Sequence, residues 1–145
     1  AMMLGKSGEH LKSVDDWTAL IQRDPNNYKY WRLRAVERLS AKEPRPALSD
    51  IAKAIEINPN SIDAYINQAE VYDALGEREN AKAAFEKAIA VDARSIKLFW
   101  ARGEMARAWG EKELAIASFT RVLEINSLHE DARRRIYNLG VLHPP

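Results

Sequence analysis

The sequence predicts an all-α protein, a solenoid of antiparallel helix pairs stacked one after another. Three observations predict it. A repeat of 34 residues runs through the chain without a gap. Apolar side chains inside each repeat recur at three- and four-residue steps, as one face of a helix requires. Turn-forming residues punctuate the same positions of every unit. Asp24-Pro25, Asn58-Pro59, Asp92-Ala93 and Asn126-Ser127 are one such series, each preceded by an aliphatic residue three positions before the Asp or Asn. Gly8-Glu9, Gly76-Glu77 and Gly110-Glu111 keep the same register, with Lys42-Glu43 in the gap. Ser13, Ala47, Ala81 and Ala115 form a third series, and Trp17, Ile51, Phe85 and Phe119 a fourth.

The elements follow in order. Residues 1–27 are a partial repeat whose second helix covers about 9–23. Ala1–Leu4 leaves room for only the last turn of its first helix. An uncapped unit exposes apolar surface. That end is therefore expected either to continue into a longer protein or to form an oligomer contact through Trp17 and Leu20. In residues 28–61, Pro44 and Pro46 sit in the first turn of the second helix, where a missing amide has no partner to lose. Pro59 stops that helix. In residues 62–95, Ala64, Tyr65, Ala69, Val71, Tyr72 and Leu75 share one face. Leu75-Gly76 ends the segment with a residue suited to the left-handed conformation, and Ala81, Ala84, Phe85, Ala88 and Ile89 form the face of the next helix. Residues 96–128 are a third unit. Residues 129–140 are a capping helix, in which Arg133 takes the register of Tyr65 and Phe99 and suits a polar outer face. Residues 141–145 are a tail.

These units resemble the tetratricopeptide repeat family. Its pattern is Trp, Leu-Gly and Tyr in the first helix, then Ala and Phe, Ala and Pro in the second and the turn after it. The middle unit supplies Tyr65, Gln68, Ala69 and Tyr72, then Ala81, Phe85, Ala88 and Ala93. The first full unit supplies Trp31, Arg34, Ala35 and Arg38, then Ala47, Ile51, Ala54 and Pro59. The third supplies Phe99, Arg102, Gly103 and Ala106, then Ala115, Phe119, Val122 and Ser127. The second-helix signature is well kept, and the first-helix signature is degraded at Arg38 and Ala106. The resemblance covers roughly residues 8–140. It implies one domain, a right-handed superhelical solenoid that binds another protein or a peptide segment in a concave groove, without catalysis.

Composition agrees with a folded chain of this kind. Hydrophobic residues make up 46% and charged residues 30%, enough for a core and too apolar for disorder. The net charge of +1 gives no strong pull toward nucleic acid or anionic lipid. No apolar run approaches the roughly 18 residues of a membrane span. No signal peptide is read at the N-terminus, which favours the cytoplasm while leaving the compartment open. With no cysteine, thiolate metal sites and cysteine nucleophiles are excluded.

Chemistry-bearing motifs are sparse, and no catalytic residue, metal ligand or cofactor is expected. His10, His129 and His143 have no zinc-ligand spacing. Gly5-Lys6-Ser7 resembles the end of a phosphate loop without its preceding glycine or strand, and reads as a flexible turn. The carboxylates fall at helical spacing on outer faces, where they serve solubility and helix pairing. Arg133-Arg134-Arg135 is the densest basic run, but Glu130 and Asp131 dilute it and a nucleic-acid footprint needs a broader stripe.

In the family, first helices line the groove. The register places Lys29, Arg32 and Val36 there from the first full repeat, Asp63, Ile66, Asn67 and Glu70 from the second, Lys97, Trp100 and Glu104 from the third, and Asp131, Arg134, Arg135 and Asn138 from the cap. Trp100 follows the packing residue Phe99, and neighbours on a helix cannot share a face, so it is expected to point into the groove as a partner anchor. Some family members clamp the acidic C-terminal tails of heat-shock chaperones with Lys, Asn and Arg. The matching positions are Arg32, Val36, Asn67, Lys97 and Ala101. Arg32, Asn67 and Lys97 fit that chemistry; Val36 and Ala101 remove donors, and Glu70 and Glu104 add repulsion. Three readings follow: a groove for some other segment, a chaperone-tail clamp, or a homo-oligomer formed through the N-terminal end.

Overall fold

The computed structural model describes the backbone of residues 6–140 and the side chains of residues 14–140. The described chain is eight α-helices without a strand: α1 Lys6–Arg23, α2 Tyr28–Ser40, α3 Pro44–Ile57, α4 Ile62–Ala74, α5 Arg78–Val91, α6 Ile96–Trp109, α7 Lys112–Ile125 and α8 Glu130–Asn138. Among the described residues, no helix is long and apolar enough to cross a membrane. The first-helix remnant expected at Ala1–Leu4 lies outside the described residues, as does the tail at 141–145. One expectation needs correction: Lys6 and Ser7 are the first turn of α1, not a flexible turn. Nothing after Gly5 breaks the helical pattern, and Gly8 is tolerated at a modest propensity cost. The chain divides into two compact units, one ending at Val91 and the other beginning at Asp92.

In the first unit each helix packs on the next, from α1 through α5. Ala35, Ala47, Ile51, Ala54, Ala64 and Val71 form its buried cluster, with Trp31, Leu39 and Ile55 packed around it. Small residues let two helices approach, and one large residue from the second helix fills the gap. Ala47 with Ile51 does this in the first hairpin, and Ala81 with Phe85 in the second; all four are fully buried. In the second unit α6 packs on α7 and α7 on α8, with Ala115, Phe119, Val122 and Ile136 fully buried. Gly103 is required there. A Cβ on it would lie 2.6 Å from the Phe119 ring, closer than any packed side chain tolerates.

The degraded signature at Arg38, with Arg34 one turn before it, has a structural answer in α3. Asp50, 2% exposed, accepts two hydrogen bonds from Arg34, at 2.7 and 3.0 Å, and one from Arg38 at 3.0 Å. Arg34 also donates to Thr18 of α1, so three helices meet at one charge cluster. Arg102 in the third repeat holds the register of Arg34, and its Nε donates to Ser118, in the register of Asp50, at 2.8 Å. A polar pair has thus replaced an apolar one, and its members are satisfied as buried polar groups must be.

Hydrogen bonds at the joints keep the period too. The first helices of the repeats are N-capped by Asn27, Ser61, Ser95 and His129, each accepting from an amide two or three residues on. The turn before each first helix is tied by a side chain. Trp31 Nε1 donates to the Pro25 carbonyl at 2.9 Å, Tyr65 Oη to Pro59 at 2.7 Å, and Arg133 to Ser127 at 2.8 Å. Phe99 has no donor. Arg121 of α7, its guanidinium 5.6 Å from the centre of the Phe99 ring, supplies one to the Ala93 carbonyl at 3.0 Å. Between the helices of a repeat, Gly76 and Gly110 take positive φ (76° and 79°), and Lys42 holds the same conformation at φ 64°.

Candidate interaction faces

In the first unit the expected site residues lie on α2 and α4. Arg32 is half-buried, and its Nη1 donates to Asn67 Oδ1 at 3.0 Å. Asn67 Nδ2 donates to Glu70 Oε1 at 2.8 Å. The three form one hydrogen-bonded row across two helices, which fixes the orientation of the Asn67 amide. Arg32 has further guanidinium N–H donors beyond the one given to Asn67. Lys29 and Glu70 are exposed, and Val36 and Asp63 are half-buried. Ile66 differs from the expectation: at 7% exposure it belongs to the core and offers little to a partner.

In the second unit the expected residues separate into two groups. Trp100, Glu104 and Lys97 lie on α6. Trp100 is half-buried, with the Phe119 ring centred 5.1 Å away and the His129 ring 5.3 Å away. The Arg135 guanidinium sits 5.3 Å from the centre of the same indole. Trp100 is therefore an internal platform joining α6, α7 and α8 rather than a freely displayed anchor. The adjacency rule correctly turns it away from Phe99, but the ring lands on Phe119 and His129.

Glu104 accepts from Arg135 Nε at 2.5 Å and from Arg107 Nη2 at 3.0 Å. Partial burial pushes its carboxyl up, but the hydrogen bonds and charges of Arg135 and Arg107 outweigh this and hold it below the usual carboxylate range. The bond to Glu104 in turn raises the Arg135 guanidinium. Lys97 is exposed on the same helix. Arg134 and Asn138 fall elsewhere. Arg134 is exposed and reaches Asp131 at 3.6 Å. With Glu130, Arg133 and Tyr137 it lines an open depression of about 360 Å³ on α8. Asn138, exposed, ends α8. The residue that α8 brings onto Trp100 and Glu104 is thus Arg135. Trp17 of α1 stacks on Tyr30 with centroids 6.1 Å apart, so part of that ring is already covered. Among the described residues, no cluster of metal-binding side chains is found.

The comparisons agree with this architecture. The tetratricopeptide repeat family model matches residues 62–95 and 96–127. Human superkiller complex protein 3 is 31% identical over 80 residues, 55% of this chain and 5% of that protein, so the chain spans a small fraction of that relative's length. A thermophilic tetratricopeptide repeat protein of Thermus thermophilus superposes with a TM-score of 0.80 at 22% identity, covering 91% of this chain and 73% of the other. The first such domain of Spaghetti, solved with the HSP90 peptide SRMEEVD, gives a TM-score of 0.67 at 19% identity, covering 77% of this chain and 91% of the other. At these identities the two solved structures establish the fold alone. With the 34-residue register, the eight helices and the two matched repeats together, the chain belongs to the tetratricopeptide repeat family.

Proposed function

We propose that this protein is a non-catalytic interaction scaffold whose first-helix faces bind a peptide or protein segment. The observation that carries this reading is the row Arg32–Asn67–Glu70 across α2 and α4. The donors are oriented before any partner arrives, so the partner alone loses conformational freedom on binding. The row has mixed charge. Arg32 attracts a carboxylate, while Glu70, bonded to Asn67, repels one. The preferred partner is therefore a segment carrying both signs of charge, with an acidic group directed to Arg32 and a donor directed to Glu70.

A second reading, capture of an acidic C-terminal tail, is supported by the fold shared with a domain that binds SRMEEVD and by Arg32 and Asn67 on one face. Val36 and Glu70 argue against it, and so does the engagement of the Asn67 amide with Glu70. Calorimetric titration with SRMEEVD and with its C-terminally amidated form separates the readings. In the mixed-charge reading the wild type binds the two forms alike and weakly, Glu70→Gln strengthens the acidic form, and Arg32→Ala weakens both. Tight binding by the wild type that disappears on amidation would establish the tail clamp instead.

A further inference from the structure

We propose that Tyr137 is a stop residue: it bars a second helix of the repeat type from pairing with α8, whether this chain or another copy supplies that helix. The first helices α2, α4, α6 and α8 begin 34 residues apart, at Tyr28, Ile62, Ile96 and Glu130. In that register Tyr137 stands where α2, α4 and α6 carry Ala35, Ala69 and Gly103. Ala35 and Ala69 are 1% and 0% exposed, and Gly103 is buried. Tyr137 is 55% exposed.

The place is small in the other first helices because a second helix fills it. Ile51, Phe85 and Phe119 hold one register in α3, α5 and α7, and all three are fully buried. In the third repeat a single added Cβ on Gly103 would lie 2.6 Å from the Phe119 ring. A tyrosine adds a phenol ring to a gap of that kind, and a helical side chain cannot leave its own face. The length of α8 points the same way. It has nine residues, against 13 in α2 and α4 and 14 in α6. Gly140, at φ 101°, follows its last turn in the register of Ala106, which is fully buried within α6. A second helix would therefore lose the final turn of its docking surface as well as the gap for its large residue. A second copy of the chain meets the same obstacle. Its α1 would bring Trp17, in the register of Phe85 and Phe119, against Tyr137. The face left outward carries Glu130, Arg133 and Arg134 beside Tyr137, and those charges keep it hydrated.

The test supplies the second helix. The α5 sequence, Arg78–Val91, is appended directly after Pro145, which keeps the 34-residue register. It suits the purpose because its own partner α4 carries Ala69 at the position in question. Three extended chains are compared: one otherwise unchanged, one with Gly140→Ala, and one with Gly140→Ala and Tyr137→Ala. A Cβ on Gly140 meets only the end of the Lys112 side chain, at 3.1 Å, so that change favours a longer α8 without blocking it. The readout is amide hydrogen exchange in the appended helix, set against a free peptide of the same sequence. In both chains that keep Tyr137, exchange should stay within about twofold of the free peptide. In the double variant it should slow at least about tenfold. A protected appended helix in either chain that keeps Tyr137 overturns the proposal. An unprotected one in the double variant overturns it too, since the obstacle would then lie elsewhere on α8.

Discussion

Replacing Asp50 by Ala would leave the guanidinium groups of Arg34 and Arg38 side by side without their shared carboxylate, between helices that nearly exclude water. Breaking a buried pair from one side costs about 3–5 kcal/mol, so Asp50→Ala should lower the denaturation free energy by at least about 3 kcal/mol. The combined change Arg34→Leu, Arg38→Tyr and Asp50→Ala restores the apolar hairpin interface of the family pattern. It should recover most of that loss, because buried ion pairs rarely outperform well-packed apolar groups. A triple variant as unstable as the single one would show that the charge cluster has a role beyond packing. Lys42 presents the opposite case. It holds a left-handed φ of 64° where Gly76 and Gly110 stand in the other repeats. That conformation costs a non-glycine residue roughly 1–2 kcal/mol, partly offset by the greater unfolded-state freedom of glycine. Lys42→Gly should stabilise the chain by about 0.5–1 kcal/mol in urea denaturation.

At the scale of helices, the sequence was legible wherever one residue type serves one geometric need. Ala47, Ala81 and Ala115, with Ile51, Phe85 and Phe119, placed every second helix, because close approach and a filled gap admit few alternatives. Gly103 could be read as a family glycine, but only the 2.6 Å approach of Phe119 shows why it is required. The first helices were harder. Arg34 and Arg38 look like erosion until Asp50 is seen 12 to 16 residues away, on a different helix. Trp100 was correctly turned away from Phe99, yet adjacency along one helix cannot say which neighbouring helix receives the ring. Arg135, Glu104 and Arg107 form the charged counterpart of that packing. Since the Glu104 carboxyl lies below its usual range, its contribution to stability is present above about pH 4.3 and is lost as pH falls through the lower folded value. Glu104→Gln should therefore flatten the acid limb of thermal stability below about pH 4.3 and leave stability at pH 7 modestly reduced. An unchanged acid limb would mean that the pair contributes nothing to docking of α8.

For the molecule as a whole, the 34-residue period fixes what is built, and the chemistry on the first-helix faces decides what is bound. The backbone is over-determined: caps, turn tethers and buried small residues repeat in the same register, so losses at Phe99 and Arg38 are each made good by a neighbour. The faces carry no such redundancy. Arg32 and Asn67 have no counterparts of the same kind in the third repeat, where Trp100 and Ala101 hold their register; only Glu70 is matched there, by Glu104. Hence the family is evident from the sequence, whereas the partner depends on a handful of side chains that follow no repeat. The mixed-charge row in the first unit is the central claim. It is tested most directly by nuclear magnetic resonance mapping of a mixed-charge peptide, alternating Glu and Lys, against an all-Glu peptide of equal length. The account predicts that the mixed peptide shifts the Arg32, Asn67 and Glu70 resonances at lower concentration than the all-Glu peptide, and that Arg32→Ala removes the difference. Equal shifts from both peptides, or shifts that avoid α2 and α4 altogether, would contradict it.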